Sequence, residues 1–287
     1  MGSGIGIGLL GLGTVGGGVA SILQSPDERH PLVADLKLVR IAVRDLDRPR
    51  SVELPTEILT TDPSEVVNDP AVDVVVEVIG GIEPARSLIL QAIASGKSVV
   101  TANKAVIARH GEEIAAAAAK AGVYVLIEAA VGGGIPIIEP LKQSLGGNRI
   151  NRVSGIINGT TNYILTRMAD EGAAYESVLK DAQELGYAEA DPAADVDGLD
   201  AADKIAILAN LAFGGSVERS AVPTAGISQL QGRDVDYAKQ LGYGVKLLAV
   251  AERMQPSAEP LPLSLRVQPT LVPKDHPLAG VNGVNNA

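Results

Sequence analysis

The sequence predicts an α/β protein of two domains: a parallel sheet with helices on both faces in residues 1–130, and an α+β unit with a mixed sheet in residues 131–287. Three observations carry that expectation. Short apolar runs alternate with helix-period segments up to Ile127, the pattern of repeated βαβ units. The composition is 46% hydrophobic but only 2% aromatic, with no Trp and one Phe, so the core must be built from Val, Ile, Leu and Ala, which suits strands buried on both faces. After Glu128 the texture changes to AAVGGGIPIIEP, where Gly132, Gly133, Gly134 and Pro136 interrupt any regular element and mark a boundary.

Ile5 to Leu10 reads as a strand that runs into Gly11-Leu12-Gly13-Thr14-Val15-Gly16, after which Val15, Val19, Ile22 and Leu23 recur at helical spacing. A GxGxxG run placed between a strand and a helix allows a tight turn and close approach of backbone N–H groups to a pyrophosphate, so it points to dinucleotide binding. A merely glycine-rich turn is the alternative. Leu36 to Val43 is the second strand, and at its end stand Arg44 and Asp45. An arginine there can fork onto a 2′-phosphate, which favours NADP, while Asp45 could serve the ribose of NAD and an exposed, solvated Arg44 is the plain reading.

Val72 to Ile79 is a third strand, closed by Gly80 and Gly81 at the carboxyl edge where such sheets bind ligands. Pro84 to Ser95 reads as a helix stopped by Gly96, and Lys97 to Val100 as a fourth strand leading to Thr101, Ala102, Asn103 and Lys104. Gly80 and Thr101 thereby join the candidate cofactor contacts. Residues 112–120 form an alanine-rich helix, and Val123 to Ile127 a fifth strand ending at Glu128. That carboxylate beside freely oriented carbonyls could hold a hard monovalent cation, or the stretch could be a plain hinge.

In the second domain, Asn151 to Ile157 reads as a strand meeting the polar turn Asn158-Gly159-Thr160-Thr161-Asn162, which caps a helix over Tyr163 to Glu171. A helix over Tyr175 to Leu185 follows, and then the acidic stretch LGYAEADPAADVDGLDAADK. It holds Glu189, Asp191, Asp195, Asp197, Asp200 and Asp203, breaks at Pro192 and Gly198, and becomes a helix ended by Gly214 and Gly215. With Asp200 at zero and roughly 100° per residue, Lys204 falls near 40°, between Leu211 near 20° and Leu208 near 80°. Asp203, near 300°, leans to the polar side. Asp200 and Lys204 thus point into the protein, either as a structural i,i+4 pair or as a lysine oriented by a carboxylate for proton transfer. A short helix over Asp236 to Gly242 and strands over Val245 to Arg253 and Leu263 to Val272, joined by a proline-rich turn, complete the unit.

A net charge of −10 argues against nucleic-acid or anionic-membrane partners and favours a small-molecule substrate. The absence of Cys excludes disulfides, thiolate catalysis and Cys-based zinc sites, and His30, His110 and His276 are scattered. No apolar run reaches a membrane span and no signal peptide is evident, so a cytoplasmic setting is expected.

In their order and spacing, GLGTVG, VVVEVIGG, TANKA, EAAVGGGIPII, NGTTNYIL and GYAEADPAADVDGLDAADK resemble the homoserine dehydrogenases, from about Ile5 to Ala287. The resemblance implies reversible hydride transfer between NADP(H) or NAD(H) and L-aspartate 4-semialdehyde, giving L-homoserine, in a homodimer paired through the sheet of the second domain. It implies Lys204 as proton donor with Asp200 beside it, Lys104 as a second active-site lysine, Glu189 on the substrate and Asp195 as a further acidic-pocket position. The cofactor would meet Leu12, Gly13, Thr14 and Val15, Arg44 at its 2′-phosphate, and Gly186. Glu128 with the carbonyls of Val131, Gly133 and Ile135 would hold sodium or potassium, which turns the reading of that stretch from hinge to cation site. The family's chain continues past the position of Ala287 into a further strand, a glycine-rich return segment and, in many members, a regulatory domain, so the sequence reads as truncated. Another two-domain amino-acid dehydrogenase and a dinucleotide-sensing protein without catalysis are the competing readings.

Overall fold

The structure, a computed structural model, describes residues 4–215, 217–254 and 263–283, and the chain divides into two compact units, Met1–Ala130 and Val131–Ala287. That division falls where the glycine run begins. Among the described residues no helix is long and apolar enough to cross a membrane.

In the first unit, strands β1 (Ile5–Leu10), β2 (Leu36–Ala42), β3 (Leu59–Thr60), β4 (Val74–Glu77), β5 (Ser98–Thr101) and β6 (Val125–Leu126) form one parallel sheet in the order β3-β2-β1-β4-β5-β6. Its helices are α1 (Thr14–Gln24), α2 (Pro63–Asn68), α3 (Ala85–Ala94) and α4 (Lys104–Ala121). The strand order reverses between β1 and β4, so their carboxyl ends, Gly11 and Gly80, flank the switch point at which doubly wound sheets bind ligands. Leu9, Leu10, Ile41, Val75 and Val99 are fully buried, as an aliphatic sheet covered on both faces requires.

Several elements differ from the expected bounds, for local reasons. β3 and α2 went unseen because a two-residue strand has no period to read and a six-residue helix little more; the Asp62-Pro63 start was the available signal, since Asp62 caps Ser64 N at 2.8 Å. α4 begins at Lys104, well before the alanine run, because Asn103 caps it through Val106 N at 3.2 Å. β4 stops at Glu77, whose side chain rather than a ladder partner takes the N–H of Ile79 at 2.9 Å.

The second unit contains β7 (Arg152–Gly155), α5 (Gly159–Glu171), α6 (Tyr175–Glu184), α7 (Ala193–Val196), α8 (Leu199–Phe213), α9 (Gly232–Gln240), β8 (Tyr243–Arg253) and β9 (Leu263–Pro273). The sheet expected as mixed has antiparallel pairing throughout its order β7-β8-β9, and parallel pairing enters only as an isolated bridge between Thr224 and Val267. The proline-rich turn expected between β8 and β9 falls on residues 255–262, outside the described residues. Ile156, Leu248, Val250 and Val272 make a core cluster against which Leu278, Ala279 and Val281 pack. Gly198 precedes α8, whose small residues Ala201, Ala202, Ala206 and Ala209 are buried, so close neighbours surround most of its circumference.

That enclosure corrects one expectation. Asp203 does not lie on a polar face: it is 7% exposed and accepts from Arg219 Nε at 2.6 Å. The 219–221 turn folds over a helix side that angular arithmetic assigns to solvent.

Candidate active site

The carboxyl edge of the first sheet holds a cavity of about 460 Å³ lined by Gly11, Leu12, Gly13, Arg44, Arg48 and Arg50 among others. Gly11 has φ +101°, and a Cβ on Gly16 would stand 2.2 Å from the carbonyl oxygen of Gly11, so both glycines are required by the turn. Gly13 opens α1 without a side-chain cap, and a Cβ there would meet nothing within 4 Å. Thr14 and Val15 follow it, exposed, in the first turn, so the uncapped N–H groups face open space. This is a cradle into which a pyrophosphate fits.

Arg44 stands exposed in the cavity wall. Asp45 accepts from Asp47 N at 2.9 Å within its own loop. Sequence reasoning missed Arg48 and Arg50, although three arginines in seven residues after a strand end were the available signal. Arg50 Nη1 donates to the carbonyls of Leu46 at 2.9 Å and Arg48 at 3.0 Å, and Nη2 bonds that of Asp45, so the loop is held by one guanidinium.

At β4 and β5 the structure places Thr101 within the strand ends. It is fully buried; its hydroxyl donates to Glu77 Oε2 at 2.7 Å and accepts from Asn103 N at 2.9 Å. Asn103 in turn donates to the carbonyl of Gly81 at 2.7 Å. Thr101 therefore organises the strand ends, while Gly80, exposed with φ +81°, leaves the backbone approachable. Lys104 is the first residue of α4, half-buried, where the helix dipole offers a cation no stabilisation.

The second unit holds its own cavity of about 360 Å³, lined by Asn158, Thr160, Gly186, Tyr187, Asp195, Asp200 and Lys204 among others. Lys204 Nζ donates to Asp200 Oδ2 at 2.8 Å and to the carbonyl of Ile157 at 2.8 Å. A third ammonium hydrogen remains for a ligand in the cavity. Asn158 donates to Asp195 Oδ1 at 2.7 Å and to Asp200 Oδ2 at 2.9 Å, and the Thr160 hydroxyl lies 2.8 Å from the carbonyl of Tyr187 and 3.0 Å from Asp195 Oδ2. Two carboxylates and one ammonium suit a ligand that brings a cation and a polarisable oxygen.

Gly186 lines this cavity with φ +76°, not the one at the dinucleotide turn. Glu189, expected on the substrate, is exposed and outside the cavity lining; Gln183 Nε2 holds its backbone carbonyl at 3.1 Å. Asp195 and Asp200, also expected on the substrate, line the cavity. Asn158 and Thr160 were read only as a helix cap. Asn158 is that cap, through Thr161 N at 2.8 Å, but capping uses its carbonyl and leaves its amide hydrogens for other partners.

Glu128 begins a single turn, Glu128–Ala130, and is half-buried; Val131 is buried, while Gly133 and Ile135 are exposed in the glycine run that follows. The Ile135 N–H returns to Gly132 O at 2.6 Å, closing a tight turn.

Residues 11–128 match the family model described as the homoserine dehydrogenase NAD binding domain, and residues 136–287 that described as homoserine dehydrogenase. The homoserine dehydrogenase of Synechocystis sp. is 62% identical over 98% of this chain, and that of Bacillus subtilis 47% identical over 98%. A crystal structure of the homoserine dehydrogenase of Thiobacillus denitrificans superposes with a TM-score of 0.89 at 51% identity, covering 98% of this chain and 64% of that one. A hyperthermophilic archaeal homoserine dehydrogenase in complex with NADPH superposes with a TM-score of 0.79 at 28% identity, covering 98% of this chain and 86% of that one. The chain spans 64% of the length of the Synechocystis and Bacillus relatives. With two matching domain models and relatives at this identity across nearly its whole length, the chain belongs to the homoserine dehydrogenase family.

Proposed function

We propose that this chain carries the cofactor and substrate halves of a homoserine dehydrogenase, which interconverts L-aspartate 4-semialdehyde and L-homoserine in the cytoplasm on the way to threonine and methionine. The observation that carries the reading is Lys204, held by Asp200 and a backbone carbonyl with one ammonium hydrogen left for the cavity. A bound nicotinamide cofactor supplies or accepts the hydride.

In reduction, negative charge develops on the aldehyde oxygen, and the Lys204 ammonium neutralises it and donates the proton. Asp200 keeps the ammonium aimed, and with Asp195 it offers carboxylate oxygen to the amino group of the substrate. Lys104 is the second lysine assigned to the reaction. Glu189 is the further carboxylate assigned to the substrate.

Gly11 to Gly16 hold the pyrophosphate at the start of α1, and Arg44, with Arg48 beside it, binds the 2′-phosphate; this favours NADP over NAD. Glu128 and the carbonyls of Val131, Gly133 and Ile135 bind sodium or potassium, one carboxylate sufficing for a single positive charge. The working form is a homodimer joined through the sheet β7-β8-β9, whose strand β9 carries the exposed Leu271. The test is homoserine-dependent reduction of NADP and of NAD at alkaline pH, with the chain and with a version extended to the length of its relatives. An extended version without turnover would discard the reading.

A further inference from the structure

Asn158 stands immediately before α5 and is 4% exposed. Its side-chain carbonyl accepts from Thr161 N and from the Thr161 hydroxyl, each at 2.8 Å. With that end held, the planar amide points its two hydrogens at the acidic stretch, one to Asp195 at 2.7 Å and one to Asp200 at 2.9 Å. The opposite amide orientation would set its oxygen against two carboxylates and its NH2 against a backbone N–H, so chemistry decides the assignment. Every hydrogen-bonding group of the side chain that geometry can use is engaged.

The two carboxylates belong to different elements. Asp195 is in α7 and Asp200 in the first turn of α8, with the left-handed Gly198 between them. Two like charges placed side by side repel, and in a half-buried cavity that repulsion is weakly screened. A donor pair fixed between them offsets the repulsion and sets their spacing. Asp200 then passes the constraint on, since the oxygen that accepts from Asn158 also accepts from Lys204.

We infer that Asn158 is a positioning residue: its amide sets the facing of the Asp195 and Asp200 carboxylates and, through Asp200, the aim of the Lys204 ammonium. The ligand it serves, a small amino acid whose ammonium the carboxylates receive, rests on the function proposed above; the positioning itself does not.

A serine separates this role from helix capping. Ser caps a helix about as well as Asn, but has one hydrogen to donate and a shorter reach. Asn158→Ser is therefore expected to keep the α5 cap but lower the thermal midpoint, since two bonds to carboxylates are lost from the folded chain, while its affinity for L-homoserine, measured by calorimetry in the presence of NADP, falls about tenfold as the carboxylates lose their facing. Its affinity for NADP stays within about twofold. Wild-type affinity for L-homoserine in Asn158→Ser overturns the inference and leaves the residue a cap. A substrate-free arm decides the point independently: crystal structures of the two proteins are expected to show the Asp195 and Asp200 carboxylates further apart in the variant, and an unchanged separation overturns the inference. Failure of the wild-type chain to bind L-homoserine defeats the functional reading instead, and the crystallographic arm then decides the role of Asn158 alone.

Discussion

Lys204 Nζ lies 2.8 Å from Asp200 Oδ2, one turn earlier on α8, and 2.8 Å from the carbonyl of Ile157, two residues past the end of β7. The lysine side chain is 14% exposed and the aspartate 8%. Burying such a pair stabilises a fold little, because desolvation offsets most of the Coulombic gain. Its place at the wall of a polar cavity fits the proton transfer proposed for Lys204.

Lys204→Ala is expected to lower turnover by about 10²- to 10⁴-fold, the usual range for loss of a general acid, with little change in NADP affinity. Lys204→Arg does not restore it, since a guanidinium does not release its proton. Steady-state homoserine oxidation measures both, and a loss under tenfold in Lys204→Ala would reject the proton-donor role.

A second buried pair on the same helix makes a stability prediction. Arg219 Nε donates to Asp203 at 2.6 Å, with side-chain exposures of 12% and 9%, and Arg219 Nη2 reaches the carbonyl of Leu199 at 3.4 Å. Arg219→Ala leaves Asp203 a buried carboxylate short of its main cation, at about 3 kcal/mol. Replacing both residues by leucine is expected to destabilise less than Arg219→Ala alone. Denaturant midpoints test this, and equal loss in both variants would argue that packing, not charge, is what Arg219 contributes.

Arg44→Ala and Arg48→Ala are each expected to raise the KM for NADP about tenfold while leaving that for NAD within about twofold, since each removes one charged contact to a phosphate that NAD lacks. The ratio of the two constants is the measurement. Equal effects on both cofactors would place the arginines elsewhere than at the 2′-phosphate.

Lys246 on β8 is 4% exposed, and its amine donates to Asn162 Oδ1 at 3.2 Å, to Asn282 Oδ1 at 3.2 Å and to the carbonyl of Val281. Burial pushes its pKa below the usual 10.5, with Asp170 opposing. Between the lowered value and 10.5 the unfolded chain binds more protons than the folded one, so this group makes stability rise with pH across that window. Relative to Lys246→Met, the wild-type chain should therefore gain stability as pH climbs toward 10.5, as chemical denaturation at stepped pH would record. A pH-independent difference would mean that the amine keeps its ordinary proton affinity.

Legibility followed the range of the interactions involved. The strand ending at Leu10, the GLGTVG turn and the helix behind it were readable because strand period, glycine placement and helix period are encoded within about ten residues. The antiparallel pairing of β7-β8-β9 was not, because alternation of apolar and polar residues reports a half-buried strand and says nothing of its partners' direction. Thr101 shows the same limit at one residue: its place at a strand's carboxyl end suggested a ligand contact, but a buried Glu77 claims its hydroxyl.

The sequence by itself determined the two-unit division, the dinucleotide turn and the Asp200–Lys204 pair, since each depends on neighbours one turn or one strand away. Only the tertiary structure decided that Asn158 joins Asp195 to Asp200, that Asp203 is buried beneath Arg219, and that Glu189 stands outside the cavity. Those outcomes depend on which remote segment covers which face: Asn158 meets the Asp200 carboxylate 42 residues away along the chain.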